Sequence, residues 1–130
     1  MSEKMSENTN ALNWFEIPAL NIERATKFYE SIFEIQMFQM EMMDNKMAMF
    51  PTNADGGKVG GCLCQSEMHV PSKTGALIYL NANTDLQLVL DRIEKVGGNI
   101  TLPKTEIGGN GYMAFFEDSE GNVVGLHSND

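Results

Sequence analysis

Two stretches of the chain decide its fold: NIERATKFYESIF, residues 21–33, and DLQLVLDRIEKV, residues 85–96. In the first, Ile22, Ala25, Phe28, Tyr29, Ile32 and Phe33 recur at helical spacing and form one apolar stripe. In the second, Leu86, Val89, Leu90, Ile93 and Val96 do the same. Each stretch opens on a residue suited to cap a helix, Asn21 in one and Thr84 or Asp85 in the other. Gly97-Gly98-Asn99 closes the second. A one-sided helix needs an apolar surface to cover, so each must lie on a sheet.

The flanking sequence supplies the strands. Asn13 to Pro18 alternates, with Trp14, Glu16 and Pro18 facing one way and Phe15 and Ile17 the other. After the first helix, Ile35 to Met42, Met47 to Phe50 and Gly60 to Gln65 are predicted strands, with turns at Asp44-Asn45 and Asp55-Gly56-Gly57. After a linker from Glu67 to Thr74 the order repeats. Ala76 to Ala82 precedes the second helix; Ile100 to Lys104, Tyr112 to Phe116 and Val123 to Ser128 follow it. A shift of about 64 residues superposes the helices, placing Asn21 on Asp85 and Tyr29 on Ile93. A slightly larger shift places residues 47–50, MAMF, on residues 113–116, MAFF. The expected fold is therefore α+β: two βαβββ modules, about residues 11–66 and 75–130, forming a curved, cup-shaped mixed sheet with the helices outside. The cup implies a cavity. The polar residues 1–10 read as a flexible tail before a single domain over 11–130.

Composition narrows the function classes. The 130 residues suffice for one domain, and a 42% hydrophobic fraction argues against disorder. A net charge of −9 disfavours nucleic acid and anionic membranes as partners. No apolar run is long enough to span a membrane, and the start lacks a signal-peptide core. Cys62 and Cys64, with one residue between them, form neither a redox nor a zinc motif. Reduced, buried thiols of a cytoplasmic protein account for them.

The order of these segments resembles the vicinal oxygen chelate superfamily, which includes glyoxalase I, extradiol dioxygenases and bleomycin-resistance proteins. The carriers are Phe15-Glu16-Ile17-Pro18, Asn21 to Ala25 and Phe28-Tyr29 in the first half. In the second they are Tyr79-Leu80-Asn81, Gly97-Gly98, Pro103-Lys104-Thr105, Gly111 to Ala114 and the hairpin Asp118 to Asn122. The resemblance implies a small-molecule cup and a homodimer. Enzymes of the superfamily generally hold a divalent metal with His or Gln from the first strand of each half and Glu from a last strand. Here those positions fall on Trp14, on Ile78 or Tyr79, and on Gly125, so no cofactor is expected and a divalent metal is doubtful.

Other residues could still act. Glu16 beside Trp14 is a candidate acid or base with its pKa raised by desolvation, or else an ion-pair partner of Arg24 or Lys27. His127 shares the face of Gly125 and is the second candidate catalytic group, or a surface histidine. His69, in the linker, is expected in solvent. Trp14, Tyr79, Tyr112, Met47 and Cys62 are candidate ligand-binding residues, with core packing as the alternative for the aromatics. The ten methionines suit an adaptable ligand surface, a core or a dimer interface. The expected function is small-molecule binding without the usual metal triad. A lyase, isomerase or dioxygenase with a non-standard site, and an interaction module with a vestigial cup, remain open alternatives.

Overall fold

The computed structural model describes residues 2–130; Met1, the first residue of the expected tail, lies outside them. The described residues form eight strands and two helices in the order of two successive βαβββ modules. The first module holds β1 (Trp14–Pro18), α1 (Ile22–Phe33), β2 (Phe38–Met42), β3 (Asn45–Met49) and β4 (Gly60–Gln65). The second holds β5 (Tyr79–Asn81), α2 (Leu86–Ile93), β6 (Asn99–Glu106), β7 (Tyr112–Glu117) and β8 (Val123–Ser128). Each module makes one four-stranded mixed sheet, ordered β1-β4-β3-β2 and β5-β8-β7-β6. In both, the first strand runs parallel to the last and the other pairs are antiparallel. The α+β class and the two-module plan read from the repeat are those of the structure.

The helices start where their caps stand. Asn21 accepts from the Arg24 amide and Asp85 from the Gln87 amide, each cap being worth about 1 kcal/mol. Helix α2 gives way to a 3-10 turn at Glu94–Val96, and Gly97 ends it in the left-handed conformation, φ 89°. The first β-hairpin turns at Met43-Asp44, one residue before the expected Asp44-Asn45. Both turn residues have positive φ, 52° and 69°, as a two-residue hairpin matched to strand twist requires.

Register sorts the strand residues onto two faces. Ile17, Leu63 and Ala48 are paired in register on one face of the first sheet, and α1 covers it with Ile22, Ala25, Phe28, Tyr29 and Ile32. Ala114, Leu126, Phe116 and Val124 form the corresponding face of the second sheet. The two covered faces share one core. Tyr29 packs edge-on to Phe50 of the first module, centroids 5.7 Å apart, and lies 6.2 Å from Phe116 of the second. Burying each such side chain contributes about 1.5–3 kcal/mol.

A buried clasp joins the modules at one corner. Glu120, in the turn between β7 and β8, accepts the amides of Leu20 and Asn21, each at 2.8 Å, and the Arg24 Nε at 2.7 Å. Arg24 therefore pairs with Glu120 and not with Glu16. Burial pushes the Glu120 carboxyl up, but Arg24, the Asn21 amide and Ser119 outweigh it and hold it below the ordinary range. Asp118 accepts the Tyr29 hydroxyl at 2.7 Å, and Asn122 donates to the Pro18 carbonyl at 2.7 Å. Among the described residues no helix is long and apolar enough to cross a membrane.

Candidate functional site

Each helix covers one face of its sheet and leaves the other free. On the first sheet the free face carries Trp14 and Glu16 of β1, Cys62 and Cys64 of β4, and Met47 and Met49 of β3. Phe38, Met40 and Met42 of β2 extend it and are exposed. On the second sheet it carries Tyr79 and Asn81 of β5, Gly125 and His127 of β8, and Phe115 and Met113 of β7. The alternation read in the sequence thus places Trp14, Glu16, Met47, Cys62, Tyr79 and His127 on free faces. Tyr112 lies on the covered side of β7, packed against the core, with the Lys104 ammonium 4.4 Å from its ring centre.

The second free face holds a concavity of about 520 Å³ lined by Tyr79, Asn81, Asn83, Ile107, Met113 and His127. Its lining is neutral apart from the imidazole. Asn81 and Asn83 spend their side-chain oxygens on the amides of Asn83 and Asn129, so their amide nitrogens remain as donors. His127 donates Nε2–H to the Asn110 carbonyl at 2.7 Å; in the neutral ring this leaves Nδ1 an acceptor. A neighbouring apolar crevice of about 560 Å³ lies between the modules, against Phe15, Phe33, Phe50 and Ile78, and shares Tyr79, Asn81 and Asn83. Both volumes are in the range of small-molecule sites. Asn81, Asn83, Met113 and Ile107 were not among the candidate site residues named from sequence. Asn81 follows Tyr79 by two and could have been found by alternation; Met113 needs the β7–β8 register.

Glu16 and His127, the candidate catalytic pair, sit on different sheets and have separate partners. Glu16 Oε1 is 2.7 Å from His69 Nε2, and Oε2 accepts the Trp14 indole N–H at 3.2 Å. The other His69 nitrogen, Nδ1, is 2.5 Å from the Ser66 hydroxyl. His69 is thus half-buried against the free face and not in open solvent, because the turn at residues 66–69 folds back onto β1. The hydrogen bond from His69 holds the Glu16 carboxyl below its ordinary value. The expected upward shift is corrected: burial does push this carboxyl up, but the hydrogen bonds from His69 and Trp14 outweigh it. Cys62 and Cys64 are free thiols with no exposed surface. Burial, followed by the Glu16 and Cys64 charges, pushes Cys62 up to about 12.

Among the described residues, no three His, Cys, Asp or Glu side chains gather to hold a metal ion. These residues do not fit a divalent centre of the glyoxalase type, whose expected positions are filled by Trp14, by Ile78 or Tyr79, and by Gly125.

A fold of paired βαβββ modules with one free face per sheet defines a class. The model of the Glyoxalase/Bleomycin resistance protein/Dioxygenase superfamily matches residues 11–126. The chain belongs to that superfamily, the vicinal oxygen chelate group. A Glyoxylase-like domain-containing protein of Didymella fabae is 32% identical over 117 residues, covering 86% of this chain and 88% of that protein. Among solved structures, TnmS3, an antibiotic binding protein from Streptomyces sp. CB03234, is 21% identical with a TM-score of 0.64, covering 96% of this chain and all of that one. A V278E mutant of Zea mays glyoxalase I is 20% identical with a TM-score of 0.69, covering 89% of this chain and 45% of that enzyme. At these identities the two structures speak to the fold alone.

Proposed function

We propose that the chain binds a neutral, partly aromatic organic molecule on the free face of its second sheet, without a divalent metal triad. The observation that carries this is the neutral concavity beside Tyr79, Asn81, Asn83, Met113 and His127. Tyr79 offers a ring for stacking, Met113 an adaptable apolar wall, and the two amides and the His127 Nδ1 directional hydrogen bonds. A bound anion or cation would meet no fixed counter-charge there.

A homodimer belongs to the same proposal. The free faces expose Trp14, Phe38, Met40, Met42 and Tyr79 at 40%, 67%, 39%, 51% and 48%. Surfaces of this kind mark interaction sites. A second copy laid over them would bury the apolar side chains and roof the concavity.

The test is a thermal-shift and calorimetric screen of neutral aromatic compounds against chelator-treated protein. A hit should stabilise the wild type, by about 2.7 kcal/mol at a hundredfold excess over Kd, and lose affinity in Tyr79→Ala and Asn81→Ala. A divalent metal found stoichiometric and required for binding would overturn it.

A further inference from the structure

We propose that the free face of the first sheet is a site for a soft, thiophilic monovalent metal ion of the copper(I) class, bound by Cys62 and Cys64 with Met47 and Met49 beside them. This goes beyond the small-molecule site and does not depend on it, since it lies on the other sheet and all four sulfurs come from one chain.

Strand register makes the constellation. Cys62 and Cys64 are two apart on β4 and so share a face. Met49 stands directly opposite Cys62, and Met47 directly opposite Cys64, on the adjacent antiparallel strand. Directly opposed side chains start about 5 Å apart at Cβ, and a methionine thioether can swing to close that gap. The result is a two-by-two set of sulfurs on one pleated surface. The thiols have no exposed area, while Met47 and Met49 are half-buried. Thioethers therefore stand at the edge of the site and thiols within it.

The chemistry of the set selects its ion. Two thiols and two thioethers are soft donors, which favour copper(I) over magnesium, calcium or manganese. The pair is poorly placed for a disulfide. Alternate residues of a strand stand roughly 6.6 Å apart, whereas disulfide-bonded Cβ atoms approach to about 3.8 Å. An ion bridging two sulfurs needs them only about 4.6 Å apart, twice a metal–thiolate bond of about 2.3 Å. Binding is an exchange without redox change: two S–H bonds break, two metal–sulfur bonds form, and two protons leave to solvent. Glu16, opposite Cys62 on β1, is held by His69 and Trp14 and is not needed as a ligand.

The experiment titrates the reduced full chain, without oxygen, with silver(I) as a redox-inert probe and with copper(I) against a colorimetric chelator. One ion per chain should bind, with protons released, and zinc or manganese should not compete. Cys62→Ala and Cys64→Ala should each abolish that binding. Met47→Leu with Met49→Leu conserves core volume and keeps the fold; it should lose the ion at chelator concentrations that the wild type withstands. The proposal fails if the reduced wild type yields its ion to weak chelator. It also fails if either cysteine variant, folded by circular dichroism, binds as the wild type does, or if the double leucine variant is unchanged. Loss of the ion site with small-molecule binding intact, or the reverse, separates this inference from the proposed function.

Discussion

The ring of Tyr79 lies over Gly125, its partner across the parallel β5–β8 pair. A Cβ added to Gly125 would stand 2.8 Å from Tyr79 Cδ2 and 3.0 Å from Cε2. The first module repeats the device, with the Phe15 ring against Gly61 on the covered face. Position 125 is where the superfamily resemblance leads one to expect a metal-ligating Glu. Here an aromatic side chain fills the space that such a residue would occupy. The missing glutamate and the Tyr79 ring that lines the concavity are therefore one structural fact.

Gly125→Ala should displace the Tyr79 ring, since a Cβ cannot fit beneath it. The expected outcome is a stability loss of about 1–3 kcal/mol from overpacking, read by urea unfolding, together with weakened small-molecule affinity. Gly125→Glu should not create a divalent metal site, because His127 on the same face would be its second ligand and, among the described residues, no third His, Cys, Asp or Glu gathers with them; metal analysis of the purified variant checks this.

The Glu16–His69 bond ties the linker to β1. The Glu16 pKa lies below its ordinary value of 4.5, so its contribution to stability is complete above that value and is lost as pH falls through the lower folded value. The carboxylate side chain is 38% exposed, which limits the contribution to below about 1 kcal/mol. Glu16→Gln should flatten this part of the acid limb of a stability–pH curve. His69→Ala should return the Glu16 carboxyl toward its ordinary value, measured by NMR titration.

The clasp at Glu120 should cost far more to break. Its side chain is 1% exposed, and truncation orphans the Leu20 and Asn21 amides at the entrance to α1. Glu120→Ala should lose about 2–4 kcal/mol in urea unfolding. Glu120→Gln, which keeps an acceptor but not the charge, should lose less.

Charge placed on the first free face should prevent self-association. Phe38→Glu with Met40→Glu exposes no new core, since both residues are already exposed on an outer strand. Sedimentation should show a dimer for the wild type and a monomer for this variant, with melting temperature set by the lost interface. An unaltered dimer would place the contact elsewhere.

Most of the fold was legible in the chain because it is local and periodic. The stripes of α1 and α2, the caps Asn21 and Asp85, and the strands Gly60–Gln65 and Val123–Ser128 follow from spacing alone. So does the sorting of Trp14 and Glu16 onto one face and Phe15 and Ile17 onto the other. The site was legible only in part. Alternation placed Tyr79 and His127 on one free face, but Asn83 and Ile107 join them from loops whose path no periodicity encodes.

What the sequence determined by itself is the repeat: two amphipathic helices, each needing a sheet, and hence two modules in one α+β unit. Helical and strand periods are properties of neighbours along the chain, so they survive without a structure. Only the tertiary structure decided the partners. It gave Glu16 to His69 and not to Arg24, seated Arg24 on Glu120 96 residues away, and set the Tyr79 ring over Gly125. Such pairings depend on which distant residues share a desolvated space, and one-dimensional spacing carries no record of that.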